Sequence, residues 1–250
     1  MRYFFLLLTA FLTLSLLTPA NAQEGFDQSH SEFSAVLQKY VSSGSVDYKG
    51  LKSDPSGLKS YLAKTSAVSK KQFDTWSESN QLAFLINVYN AETLDLVREN
   101  YPVTSIKEIA EDSGGPWEQP VVELWGEKIT LNALEHEIIR KNYAEPRIHF
   151  ALVCAAKGCP VLINEPYVGE KLKSQLDNRT KNFLNDTQKN SVDPENKVVT
   201  LSPLFDWFSE DFVKESGSVT AFVNPYMGGG ITPDYKIEYT RYDWTLNEGS

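Results

Sequence analysis

Cysteine is scarce in this sequence. Its 250 residues hold two, Cys154 and Cys159, so at most one intramolecular disulfide can form. Long apolar runs are scarce too: beyond the N-terminus no stretch is long or apolar enough to cross a bilayer, which takes about 20 helical residues. Positive charge is in deficit. Lys and Arg number 24 against 33 Asp and Glu, a net charge of −9 that argues against nucleic acid and against anionic membrane surfaces as partners. No internal repeat, low-complexity tract or long linker divides the chain, and helices and strands follow one another without a βαβ rhythm. That pattern points to an α+β fold, with helices packed around a small, mostly antiparallel sheet.

The N-terminus stands apart. In MRYFFLLLTAFLTLSLLTPANA a single charge, Arg2, precedes an apolar run from Tyr3 to Leu17, and Ala20-Asn21-Ala22 supplies the small residues a signal peptidase needs. The run is short for a membrane span. Residues 1–22 are expected to be a cleaved signal peptide and 23–250 a single globular domain. Cleavage removes one arginine and no acid, which moves the net charge to −10. The expected location is periplasmic or secreted, with no integral span after cleavage.

Periodicity places helices over 29–41, 55–65, 80–100 and 168–185, and a shorter one capped by Asn132 and running to Lys141. A hairpin is expected from Val121–Trp125 and Lys128–Thr130, turning at Gly126-Glu127. The apolar run Ile148–Val153 reads as a buried strand, as do Lys197–Leu201 and Tyr235–Arg241. Between the last two, Ser202-Pro203 opens an aromatic helix reaching Lys214.

Polar groups on apolar faces are the useful signal, because burying them costs free energy unless they are paired. Glu135 falls inside the arc of Leu134, Ile138 and Ile139, as half of a capping box with Asn132 or as a group that orients a histidine or arginine. Asn87 and Asn90 share a buried helix face, and either tie core backbone together or bind substrate. Glu92 and Asp95 are expected to mark the water side. Asp211 lies among aromatics and calls for a cation, Arg147 or Arg140. Of three histidines, His149 is the most informative. His30 and His136 are expected to contribute nothing and to be solvated, respectively.

The stretch Arg147-Ile-His-Phe-Ala-Leu-Val-Cys154-Ala-Ala-Lys-Gly-Cys159-Pro160 resembles the signature of the domain-of-unknown-function 547 family. Ala83-Phe-Leu-Ile-Asn87-Val-Tyr-Asn90-Ala91, Leu131-Asn-Ala-Leu-Glu135-His136-Glu-Ile-Ile-Arg140, Leu201-Ser-Pro-Leu-Phe-Asp-Trp207-Phe-Ser-Glu-Asp211-Phe212 and Tyr242-Asp243-Trp244-Thr-Leu-Asn247 agree in order, so the resemblance runs from about Gly44 to the end. It implies an exported bacterial protein whose motif positions cluster in space, and it supplies no substrate or cofactor. Leu85 stands where similar proteins often have tryptophan.

Three chemistries fit His149, Cys154 and Cys159. The cysteines can form a disulfide after the strand, in a non-enzymatic binding or structural protein of the cell envelope. Cys159 can serve as the nucleophile of a hydrolase or acyltransferase, with His149 as base, Glu135 or Asp211 as orienting group, and Asn87, Asn90 and Arg147 toward the substrate. Gly158 and Lys157 would then help, by close backbone approach and by charge, and the Cys159 N–H would face an oxyanion. A metal site would need a fourth ligand at unusual spacing, so none is assigned.

Overall fold

The computed structural model describes residues 25–249; the expected signal peptide, 1–22, lies outside them. The fold is α+β. Helices α1 (Ser31–Tyr40), α2 (Tyr48–Ser53), α3 (Ser56–Ser66) and α4 (Lys70–Phe73) lead into the long α5 (Glu78–Asn100). Among the first four run the short strands β1 (Val41–Ser42) and β2 (Ser45–Val46), an antiparallel pair.

Nothing interrupts α5: it holds no proline or glycine, Ser77 caps it by accepting from the Asn80 N–H, and it ends before Pro102. At 1.5 Å per residue it is about 35 Å long. From Leu82 to Arg98 every side chain is buried. Glu92 and Asp95 are therefore not the water side. Lys59 of α3 meets Asp95 at 2.8 Å, and Arg98 meets it at 2.8 Å from one turn on, so cations rather than water cover that face.

The hairpin is β3 (Val122–Leu124) and β4 (Glu127–Ile129), turning at Trp125-Gly126, one residue earlier than expected. Both turn residues have positive φ, +55° and +84°, the backbone that matches strand twist in a two-residue turn. Next comes α6 (Leu131–Ala133), which continues as a π-helical turn over Leu134–Ile139 into α7 (Arg140–Asn142). Its cap is the Thr130 side chain, accepting from Ala133 N–H at 3.0 Å, so the Asn132–Glu135 capping box does not form.

The expected strand at 148–153 is a 3-10 turn, Pro146–Phe150. A short apolar run buried on all sides has no period to separate strand from helix, and here Pro146 and the Glu145 carboxylate, which accepts from Arg147 N–H, start a helical turn. Helix α8 (Leu172–Leu184) follows. Strands β5 (Ser191–Asp193), β6 (Val198–Leu201) and β7 (Lys236–Tyr239) form one sheet, β6 antiparallel to β5 and parallel to β7. The aromatic helix is two, α9 (Leu204–Trp207) and α10 (Ser209–Ser216), broken at Phe208, and α11 (Val219–Val223) closes the layer.

Two hydrophobic clusters result among the described residues. One surrounds α5; the other gathers Phe150, Phe205, Phe212 and Phe222 under the three-stranded sheet. Tyr242 packs against both, and the site lies where they meet. No helix among the described residues is long and apolar enough to cross a membrane.

Candidate functional site

The segment after the 3-10 turn is held from both sides. Asn90 of α5 donates to Ala151 C=O and accepts from Val153 N–H, each at 2.9 Å, which fixes the residue before Cys154. From the other side the C-terminal segment runs along the cysteine loop. Lys157 N–H donates to Thr245 C=O, Gly158 N–H to Asp243 C=O, and Asn247 N–H to Ala155 C=O, at 2.8 to 3.0 Å. Gly158 is required by this approach, since a Cβ there would sit 2.8 Å from the Asp243 backbone nitrogen.

Where the loop meets the aromatic helices, a cavity of about 170 Å³ opens to the surface. Cys154, Cys159, His149 and Glu135 all line it, so four of the residues singled out from sequence share one wall system. Trp117, Trp207, Tyr242 and Trp244 form the mouth. Tyr242 and Trp244 rings lie 4.7 Å apart, and Trp207, 47% exposed, packs on both.

The thiols differ. Cys159 is buried and Cys154 partly exposed, with the sulfurs 2.7 Å apart and both cysteines free. Burial alone would push the Cys154 thiol up. Hydrogen bonds from the Cys159 thiol, from the Tyr242 hydroxyl at 3.1 Å and from the Ala156 N–H outweigh it and bring Cys154 below the ordinary thiol value. Burial and the neighbouring Cys154 sulfur hold Cys159 well above that value. Lys157, expected to tune the thiol, is exposed, and the lowering of Cys154 comes chiefly from these hydrogen bonds. The Cys159 N–H is also occupied, donating to Ala156 C=O at 3.1 Å.

Behind the cavity runs a chain of polar contacts. His149 Nε2 is 2.7 Å from Asp211 Oδ2; with the carboxylate ionised, Nε2 carries the hydrogen and donates it. Asp211 also accepts from Arg140 Nε at 2.7 Å and Nη2 at 3.0 Å, and Arg140 Nη1 donates to His136 Nδ1 at 2.6 Å. Arg140, then, is the cation Asp211 calls for, and His136 is a half-buried member of the chain rather than a solvated side chain. Phe208, at the break between α9 and α10, stacks on His149 with centroids 3.9 Å apart while Arg140 sits 5.1 Å above its ring. Burial pushes the His149 imidazole down, against the pull of Asp211, so the ring is neutral at pH 7. Burial pushes Asp211 up, but its bonds to His149 and Arg140 prevail and hold it far below the carboxylate range.

Glu135 belongs to the π-helical turn and is buried in the cavity wall. Desolvation raises its pKa to about 7, opposed by a hydrogen bond from Tyr89 and by the charge of Arg140. A carboxyl group poised there can hold or release a proton near neutrality.

Three residues expected near the substrate lie elsewhere. Asn87 clamps the backbone of Tyr167, donating at 2.7 Å and accepting at 2.9 Å, and Asn90 clamps the segment before Cys154. Neither lines the cavity. Arg147 pairs with Glu145 and, at 2.6 Å, with Asp177, on a different face. Sequence reading, in turn, passed over Tyr242, Trp117, Trp207 and Tyr89. Tyr242 stood in a quoted motif, and its hydroxyl had no evident partner until the C-terminal segment was placed against the cysteine loop.

Fold and site together define an α+β protein with a thiol pair, a carboxylate-backed histidine and a buried carboxyl group in one aromatic cleft. Residues 73–184 match the model of a family described as a protein of unknown function, DUF547. The matched stretch carries Glu135, His149, Cys154 and Cys159; Asp211, Tyr242 and Trp207 come from beyond it. No curated protein and no solved structure matches the chain.

Proposed function

We propose that this chain is an exported hydrolase or acyltransferase of the cysteine type, with Cys154 as nucleophile, His149 as base and Asp211 as the group that orients the imidazole. The observation that carries the reading is Cys154, the less buried cysteine, in the same cleft as a neutral histidine whose Nε2 is fixed on a carboxylate. Export is supported by the N-terminal sequence, and the compartment would be the cell envelope or beyond.

Cys154 replaces Cys159 as the nucleophile because it is the less buried residue of the pair and the one whose charged form is stabilised. In the reaction, His149 takes the Cys154 proton and the sulfur attacks an acyl carbon, forming a C–S bond while the carbonyl electrons move to oxygen. Collapse of that intermediate expels the leaving amine or alkoxide, which takes the proton back from His149. Water or an acceptor alcohol or amine then attacks the thioester, and its proton returns through His149. Tyr242 keeps its hydroxyl proton, held on by burial and by the two sulfurs beside it, and supplies a hydrogen bond to the oxyanion. The cavity wall is mostly aromatic and aliphatic, which suits an uncharged acyl group.

The test is incubation of the reduced protein with p-nitrophenyl acetate, read by intact mass. A single acyl adduct located on Cys154, absent in Cys154→Ala and slowed in His149→Ala, is the expected result. Absence of any adduct on Cys154 in a folded, reduced protein overturns the reading.

A further inference from the structure

Cys159 lies outside the nucleophilic step just described, yet it is buried against the nucleophile. Its sulfur is 2.7 Å from Cys154 Sγ and accepts from the Cys154 N–H at 2.8 Å. A disulfide requires about 2.05 Å between sulfurs, so closure calls for a shift of less than about 1 Å. Both line the cleft, but unequally: Cys154 is partly exposed while Cys159 is 3% exposed. One accessible sulfur with a second, buried sulfur in contact is the arrangement that thiol–disulfide exchange requires. The acyl-transfer scheme gives the second thiol no task.

We propose that Cys154 and Cys159 together form an exchange-active dithiol, in which Cys154 attacks small-molecule disulfides and Cys159 resolves the mixed disulfide. The inference rests on Cys154 being the site's nucleophile, and it adds a second reaction at that sulfur. In the first step the Cys154 thiolate attacks one sulfur of a disulfide RSSR, a Cys154–SR bond forms and RS⁻ leaves. In the second, Cys159 gives its proton to the departing thiolate and attacks the Cys154 sulfur; the second RS⁻ leaves and takes up a proton from solvent. The two cysteine sulfurs lose two electrons in all, and RSSR is reduced to two thiols.

The surroundings suit this order. While Cys154 is a free thiolate, its charge disfavours ionisation of Cys159. Once Cys154 carries a neutral SR group that opposition disappears, and the Cys154 N–H remains as a donor to the emerging Cys159 thiolate. Resolution is thus switched on by the first step. The closed form lacks a thiolate at Cys154, so acyl transfer stops until a thiol reductant reopens the pair.

The experiment uses the full chain, reduced, desalted and kept from air, then incubated with oxidised glutathione, quenched with iodoacetamide and weighed intact. The expected wild-type product has lost two hydrogens, carries no glutathione and takes no alkyl group. Cys159→Ser should stop at one glutathione, retained on Cys154, and Cys154→Ser should react at least tenfold more slowly. Should Cys159→Ser fail to fold, a time course on the wild type serves instead, with a transient glutathione adduct preceding closure. Persistent wild-type glutathionylation, or two thiols that stay open to alkylation, overturns the inference. If closure fails while p-nitrophenyl acetate still acylates Cys154, only the exchange reaction is lost. Closure without acylation retains the dithiol and removes the hydrolase reading.

Discussion

The buried amides of the central helix and the buried side chains of the cleft act differently. On α5, Asn87 and Asn90 each hold one backbone N–H and one backbone C=O. These bonds have no proton to give up, and what they fix is the path of the chain. In the cleft the partners are titratable: Cys154 with Cys159 and Tyr242, His149 with Asp211, Glu135 with Tyr89. Burial there displaces proton affinities from their ordinary values, Glu135 up to about 7 and His149 down. A buried polar residue is thus read by what it bonds. Amide to backbone builds the frame; acid, thiol and imidazole bonded to one another can do chemistry.

Substitutions that separate frame from chemistry test this contrast. The largest effect belongs to His149→Ala, which should lower the rate of Cys154 acylation by about 10²- to 10⁴-fold, the usual worth of a general base, while the protein stays folded. Rapid-quench intact mass gives the rate. Asn90→Ala should act in the opposite way. It leaves Ala151 C=O and Val153 N–H buried without partners and should cost on the order of 3 kcal/mol in urea denaturation. If Asn90→Ala kept full stability and lost acylation, the division between frame and chemistry would collapse.

That division was only half visible in the sequence. Period alone placed α1, and period with a start or stop signal, Pro55 or Pro102, placed α3 and α5, all within two residues. Glu135 and Asp211 stood out as polar residues on apolar faces, and His149 with the two cysteines stood out by chemistry. The run 148–153 misled, since its side chains are buried on all sides whatever the backbone does. Choosing between Cys154 and Cys159 needed the C-terminal segment, which brings Tyr242 to Cys154 from 88 residues away. No local pattern encodes a contact of that span.

Stability should also depend on pH through a buried acid outside the cleft. Glu92 of α5 is buried and its pKa is raised to about 8, first by desolvation and then by the charge of Asp95. Between the ordinary value of 4.5 and about 8 the folded chain binds a proton there that the unfolded chain has lost, so this group makes stability fall as pH rises through that window. Glu92→Gln should flatten the loss by on the order of 3 kcal/mol between pH 5 and pH 8, seen in urea midpoints. A wild type and variant with parallel pH profiles would contradict it.

The smallest expected effect is at the mouth. Trp207→Ala removes a half-exposed ring that packs on Tyr242 and Trp244, and should shift stability by about 1 kcal/mol or less while raising KM for acyl substrates more than it lowers kcat.

The chemistry of the cleft turns on which sulfur is reactive and why. The most direct measurement is the pH dependence of iodoacetamide alkylation of the reduced protein, with the labelled cysteine located by peptide mass. The expected result is that Cys154 is labelled first, with a midpoint below the usual thiol value of about 8.5, and that Tyr242→Phe moves the midpoint upward by removing a hydrogen bond to the thiolate. Labelling of Cys159 before Cys154, or a Cys154 midpoint at or above that of an unperturbed thiol, would contradict it.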